Sequence, residues 1–323
     1  MKLHENKELF SDAIIAASRP ENEGGLGIKE IFIEKDYWIT RSLQLLSKVD
    51  PEGKAVFKGG TSLSKAYGIG ARFSEDIDIA ILDSDTISGN QLKTLIRKIS
   101  KGMSEDLEEL DIPGATSKGS HYHKAFYSYP RVISTEQVGA IKTGQILIEI
   151  SAFGNPYPFE RRIVQSFLSD FFIKAGHPQF LEEYDMQPFE VSVLDKRRTL
   201  TEKLVSLFRC SLADDFVKSM SGKIRHFYDL NYLFMDNDIR EYLNGNLFKK
   251  DFLSLLNEDQ RRFDKPEGWQ NKSIKDSPLM TDLHSTWALL QDQYSRELPD
   301  LAYRNVPSVS DIEGSLVQIM GKL

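Results

Sequence analysis

The sequence predicts an α+β protein: a mixed β-sheet flanked by helices, followed by a mainly helical C-terminal domain. Up to about residue 160, short apolar or alternating runs bounded by glycine and proline interleave with helical repeats. Beyond it, apolar residues recur mainly at helical spacing. The 323 residues suffice for one large or two ordinary domains with packed cores. The expected domains are 1–160, with the sheet and N-terminal helices, and 161–323.

The elements follow in order. Leu9, Phe10, Ala13, Ile14 and Ala17 form one stripe of a helix over 6–18. Phe32, Ile39, Leu43 and Leu46 mark a second helix over 28–48, where Lys35 by itself reads as a surface lysine paired along the helix and, by the resemblance of its EKDYW segment described below, as a nucleotide-site residue. A strand at 55–58, a helix from about 61 to 67 and a strand at 76–82 come next. A charged amphipathic helix is expected over 88–109, closed by Asp111-Ile-Pro-Gly. Ala125, Tyr127 and Tyr129 alternate in a strand within 121–131. Its His121 and His123 lack a third nitrogen or sulfur partner, so a solvent-facing strand edge is expected rather than a metal site. Residues 145–151 form an apolar strand carrying Glu149, and Asn155-Pro-Tyr-Pro breaks the chain.

The second half begins with an expected helix over 160–175 and a short strand at 191–194. Leu200, Leu204, Leu207 and Phe208 then line one face of a helix that also carries Lys203. Arg225 and Asp229 stand at i, i+4 on the next helix, where they form a stabilising pair. Further helices are expected near 239–257, 280–297 and 310–322. Trp269, in the polar stretch 258–279, is either an exposed RNA contact or a loop anchor.

Composition excludes several classes. The net charge of −7 argues against a uniformly basic nucleic-acid binder, though basic clusters such as Lys196-Arg197-Arg198 and Arg161-Arg162 remain. No apolar run reaches the roughly eighteen residues of a membrane span. The N-terminus lacks the apolar core of a signal peptide, so cytoplasmic residence is expected. The single cysteine, Cys210, rules out an intrachain disulfide and a cysteine metal cluster.

The chemistry concentrates in residues 54–83, KAVFKGGTSLSKAYGIGARFSEDIDIAILD. In a strand, residues i and i+2 share a face, so Asp76 and Asp78 point the same way while Ile77 and Ile79 face a core. Two adjacent carboxylates are costly unless neutralised, and a divalent cation bridging them to nucleotide phosphates is a common remedy. The Gly59-Gly60 bend lets backbone N–H groups approach an anion, and a helix starting at Thr61 or Ser62 turns its dipole toward a phosphate. Each half alone is a common structural feature. Together, with Arg72-Phe73-Ser74 just before the acids, they point to nucleotidyl or phosphoryl transfer.

This unit resembles the signature of the polymerase-beta-like nucleotidyltransferase superfamily, and FKGGTSLSKAY…RFSEDIDIAI is similar to the AbiEii/AbiGii toxin family within it. The segments EKDYW, LIEI, RTLTEKL and RHFYDL extend the resemblance along the chain in order. Fifteen residues separate Gly60 from Asp76, more than in many superfamily members. The resemblance implies a nucleotidyltransferase-like sheet and catalytic residues Asp76, Asp78, Glu149, Lys203 and Asp229. It implies Mg²⁺ or Mn²⁺ held by Asp76, Asp78 and Glu149. A nucleoside triphosphate would be bound around Lys58, Gly59, Gly60, Thr61, Ser62, Lys65, Arg72, Ser74 and Lys203. His226 stands where many relatives carry aspartate. The implied function is transfer of a nucleotide to an acceptor such as transfer RNA by a bacterial toxin, within a toxin–antitoxin or phage-defence system. A cognate antitoxin is then a further expected partner. Modification of a protein or small molecule, or a non-catalytic nucleotide-binding module, are the alternatives.

Overall fold

A computed structural model of the chain describes residues 1–139 and 141–323, Asp85 by its backbone alone. Two compact units are present, Met1–Gly68 with Phe73–Leu194, and Ile69–Arg72 with Asp195–Leu323.

The first unit contains helices α1 (Lys7–Ser18) and α2 (Glu30–Val49), then strand β1 (Ala55–Lys58), helix α3 (Gly59–Tyr67), strand β2 (Asp76–Ile81) and helix α4 (Gly89–Met103). Strands β3 (Glu108–Leu110), β4 (Ser117–Lys118), β5 (Tyr122–Ser128), β6 (Gln137–Val138), β7 (Ile141–Lys142), β8 (Gln145–Ser151) and β9 (Phe159–Val164) follow. Helices α5 (Phe167–Lys174) and α6 (Gln179–Glu183) and strand β10 (Phe189–Leu194) complete it. The main sheet runs β3-β5-β8-β2-β1-β10-β9, with β4 beside β5. β1 pairs with β10, and β2 with β8, in parallel; the other pairs along this order are antiparallel. On one face Ile77, Ile79, Ala125 and Tyr127 are buried, and Ser100 of α4 bonds His123 Nε2 and Tyr127 Oη at 2.9 Å each.

The second unit is helical: α7 (Lys196–Ser211), α8 (Phe216–Ser221), α9 (Ile224–Met235), α10 (Asn237–Asn244), α11 (Asn246–Arg262), α12 (Pro278–Thr281), α13 (Leu283–Ala288), α14 (Gln291–Leu301) and α15 (Val309–Met320). α9 packs on α7 and α15, and Phe227, Tyr228 and Trp287 fill the core. The segment Ile69–Arg72 is tied in by two backbone hydrogen bonds. Tyr228 Oη accepts from Ala71 N at 2.9 Å, and Ala71 O accepts from Tyr303 N at 2.9 Å.

Several expectations change. Residues 159–164 form a strand, not the start of a helix, and α5 begins only at Phe167. The charges Glu160, Arg161 and Arg162 obscure the alternation, while pairing with β10 supplies the hydrogen bonds. Because β9 and β10 belong to the sheet, the units part at Leu194/Asp195 rather than at residue 160. The helix expected to reach 109 stops at Met103, and 108–110 pair with β5 instead. His123 faces inward and is buried, because β5 lies inside the sheet rather than at its edge. Trp269 is fully buried and donates from Nε1 to Phe263 O at 2.7 Å, so it anchors its loop.

Helix α2 is buried from Ile31 to Leu46, charged residues included. Glu34 Oε1 accepts from Val132 N at 2.6 Å, while Oε2 has no hydrogen-bond partner among the described residues. Burial pushes the Glu34 pKa up to about 7, against the Val132 and Ile133 N–H groups and Arg131. The folded chain therefore keeps a proton that the unfolded chain has released. The stability this contributes is complete below the unfolded carboxyl pKa of about 4.3 and is lost as pH rises through the folded value. Glu34→Gln is expected to flatten this dependence: melting temperatures of wild type fall from about pH 5 to about pH 8 relative to those of the variant.

Candidate functional site

The site is built where β1 gives way directly to α3. Lys58 is extended, and Gly59 opens the helix with φ +81°. That backbone region suits glycine, and here the missing side chain has a second use. A Cβ at Gly59 would lie 2.2 Å from Asp78 Oδ2. The Asp78 carboxylate therefore sits directly over the bend, beside the N-terminus of α3. Asp76 and Asp78 are half-buried on the sheet face opposite the buried Ile77 and Ile79.

Strand register adds neighbours. Asp78 pairs with Lys58 on β1 and with Glu149 on β8, and Glu149 pairs with Lys124 on β5. A row Lys58–Asp78–Glu149–Lys124 thus crosses four strands on one face. Glu149 Oε1 is 2.7 Å from Lys124 Nζ, and Oε2 accepts from the Tyr122 hydroxyl at 2.9 Å. Burial, then the Glu149 hydrogen bond and the charges of Glu149, Asp78 and Asp76, push the Tyr122 phenol above its ordinary range, so it stays a donor. Sequence reasoning missed Tyr122 and Lys124. Alternation along 122–128 places them opposite Ala125 and Tyr127, but only the register names their partner.

The other unit-one candidates are braced from within. Thr61 Oγ1 donates to Asp76 O at 2.6 Å, and Ser62 Oγ donates to Gly59 O at 2.9 Å. Their hydroxyls thus fix the bend, and a ligand there would meet backbone N–H groups. Lys65 is paired with Asp36, which also accepts from Phe167 N at 2.7 Å. Lys35 is fully buried against Glu75, the residue before β2, so it is not a surface lysine. Two successive residues of α2, Lys35 and Asp36, therefore hold both flanks of the bend. Ser74 is half-buried. Gly60 is the second residue of α3.

The second unit holds a charged cluster of its own residues. Arg72 grips Asp229 through Nε–Oδ1 and Nη2–Oδ2 contacts of 2.7 Å each, and Lys203 Nζ is 2.7 Å from Asp229 Oδ2. All three are buried. The expected Arg225–Asp229 pair is replaced by these partners, since Asp229 faces the core of its unit. Burial alone would raise the Asp229 pKa, but Arg72 and Lys203 outweigh it and hold the carboxyl well below the usual range. Burial, then Lys203, pushes the His226 pKa well down, leaving the ring neutral beside the cluster.

Comparison with known proteins adds the decisive observation: the family model for the nucleotidyl transferase AbiEii toxin, of type IV toxin–antitoxin systems, matches residues 41–312. This chain belongs to the AbiEii family. The match spans Asp76, Asp78, Glu149, Lys203 and Asp229, while the Lys35–Asp36 brace lies before it. Among solved structures, this AbiEii chain is similar to MenT4, a nucleotidyltransferase toxin from Mycobacterium tuberculosis, at 14% identity and TM-score 0.45 over 97% of this chain and 98% of that one. It is also similar to JHP933 from Helicobacter pylori, at 16% identity and TM-score 0.38 over 90% and 94%. No curated protein sequence matches. Among the described residues, no helix is long and apolar enough to cross a membrane.

Two substitutions test the geometry. Gly59→Ala is expected to lower stability by about 1–3 kcal/mol in urea denaturation, through strain and overlap with Asp78. Gly68→Ala, with φ +65° and nothing within 4 Å of the added Cβ, costs less. Asp229→Asn leaves two buried cations without their counter-charge and is expected to cost about 3–5 kcal/mol. Asp229 stabilises the wild type fully above its unfolded pKa, and this contribution fades as pH falls below about 4. Acid titration of the melting temperature should show that limb in wild type and not in the variant.

Proposed function

We propose that this AbiEii chain is a divalent-metal-dependent nucleotidyltransferase that moves a nucleoside monophosphate from a triphosphate to a hydroxyl of an RNA acceptor, releasing pyrophosphate. The observation that carries the reading is the Asp78 carboxylate lying over Gly59, with Asp76 on the same face and the α3 N-terminus alongside. An anion cradle and a carboxylate pair then meet at one point.

The donors fit a hard cation. Asp76 and Asp78 offer oxygen ligands only, as Mg²⁺ or Mn²⁺ prefers. Among the described residues no three His, Cys, Asp or Glu converge on a common metal position, so phosphate oxygens and water would complete the shell. When bound, the ion would supply charge neutralisation for the triphosphate and polarise the reacting phosphoryl group. The backbone N–H groups at 59–62 would receive phosphate oxygens. The acceptor oxygen forms its bond to the α-phosphorus as the bond to the pyrophosphate oxygen breaks. Glu149, beside Asp78, would act as the base that takes the hydroxyl proton. Lys203 would contact the triphosphate, a cognate antitoxin would partner the chain, and the protein would reside in the cytoplasm.

Asp76→Ala is expected to abolish transfer of label from α-³²P-NTP to lysate RNA, with wild type labelling the RNA fraction. Equal labelling by both would refute the enzyme, and label confined to the protein fraction would refute the RNA acceptor. Lys203→Met is expected to reduce labelling by about 10²-fold if its charge serves the leaving pyrophosphate.

A further inference from the structure

Glu149 stands next to the acid pair yet is engaged elsewhere. Each of its oxygens has a donor from β5: Lys124 Nζ at 2.7 Å from Oε1, and Tyr122 Oη at 2.9 Å from Oε2. The arrangement is built into the sheet, because Lys124 is the register partner of Glu149 and Tyr122 is two residues away on the same face. A divalent ion drawn to Glu149 would approach the Lys124 ammonium against the repulsion of like charge. A neutral hydroxyl meets no such barrier. A carboxylate has about four acceptor positions, so two remain with both donors in place.

We propose that Lys124 and Tyr122 tether Glu149 away from the metal ion and reserve it for the acceptor hydroxyl. They are positioning residues: they act through Glu149, which takes the acceptor's proton as the new O–P bond forms and the bond to pyrophosphate breaks. The inference rests on the reading in which Asp76 and Asp78 hold the cation.

The test is Mn²⁺ titration of the full chain, following free Mn²⁺ by electron paramagnetic resonance. Lys124→Met is expected to bind Mn²⁺ about tenfold more tightly than wild type, as Glu149 joins the ligand set. The gain disappears in Lys124→Met/Glu149→Gln, and Lys124→Arg keeps wild-type affinity. Glu149→Gln alone leaves affinity within about twofold of wild type, whereas Asp76→Asn/Asp78→Asn loses binding. Unchanged or weaker binding by Lys124→Met overturns the tether, as does a Glu149→Gln loss matching that of the Asp pair. A loss confined to the Asp pair still upholds the metal assignment. Wild-type binding by Asp76→Asn/Asp78→Asn overturns that assignment and the tether with it. Circular dichroism checks folding, and Tyr122→Phe serves as a second variant if Lys124→Met is unfolded, with tighter binding again expected.

Discussion

The close approach of the Asp78 carboxylate to a backbone position without a side chain is the constraint on which the first unit's chemistry depends. A Cβ at residue 59 would stand 2.2 Å from the Asp78 carboxylate, so any other side chain there forces that acid to move. The same glycine adopts a left-handed φ and begins α3 immediately after β1. One residue thus sets where the strand ends, where the helix dipole points and where an acid can sit. The Thr61 hydroxyl on the Asp76 carbonyl fixes the helix to the acid-bearing strand.

That arrangement needs support, because it gathers negative charge beside a helix terminus. Support comes from α2, an unusual helix in being buried on nearly every side while carrying charges. Lys35 holds Glu75 at the entrance of β2, and Asp36 holds Lys65 on α3. Buried ion pairs gain little net stability but strongly penalise any rearrangement that separates them. Their contribution here is geometric: strand and helix meet at a fixed angle to one rigid rod. The lysines at both ends of the cross-strand row, Lys58 and Lys124, flank the two central acids in the same spirit.

The sequence made much of this legible. Alternation in DIDIAI placed Asp76 and Asp78 on one face, and the apolar run QILIEIS singled out Glu149. Both readings depend on local period, which a single strand displays by itself. What stayed hidden depended on partners distant in sequence. Arg225 and Asp229 have helical spacing, yet Asp229 pairs with Arg72, 157 residues away. Lys35 resembles a surface lysine until its helix is seen to be buried. Residues 159–164 show no clean alternation, and only pairing with β10 reveals a strand. Alternation along β5 was visible, but not that Lys124 would face Glu149.

The second unit borrows four residues, Ile69–Arg72, from the middle of the first unit's sequence. They supply the guanidinium that neutralises Asp229 and the backbone groups that bond Tyr228 and Tyr303. The two units are therefore interleaved along the polypeptide, and no single cut separates them cleanly. A fragment beginning at Asp195 would keep the buried acid but lack its arginine. Dissecting this protein into independently expressed halves would require grafting that short loop onto the helical piece.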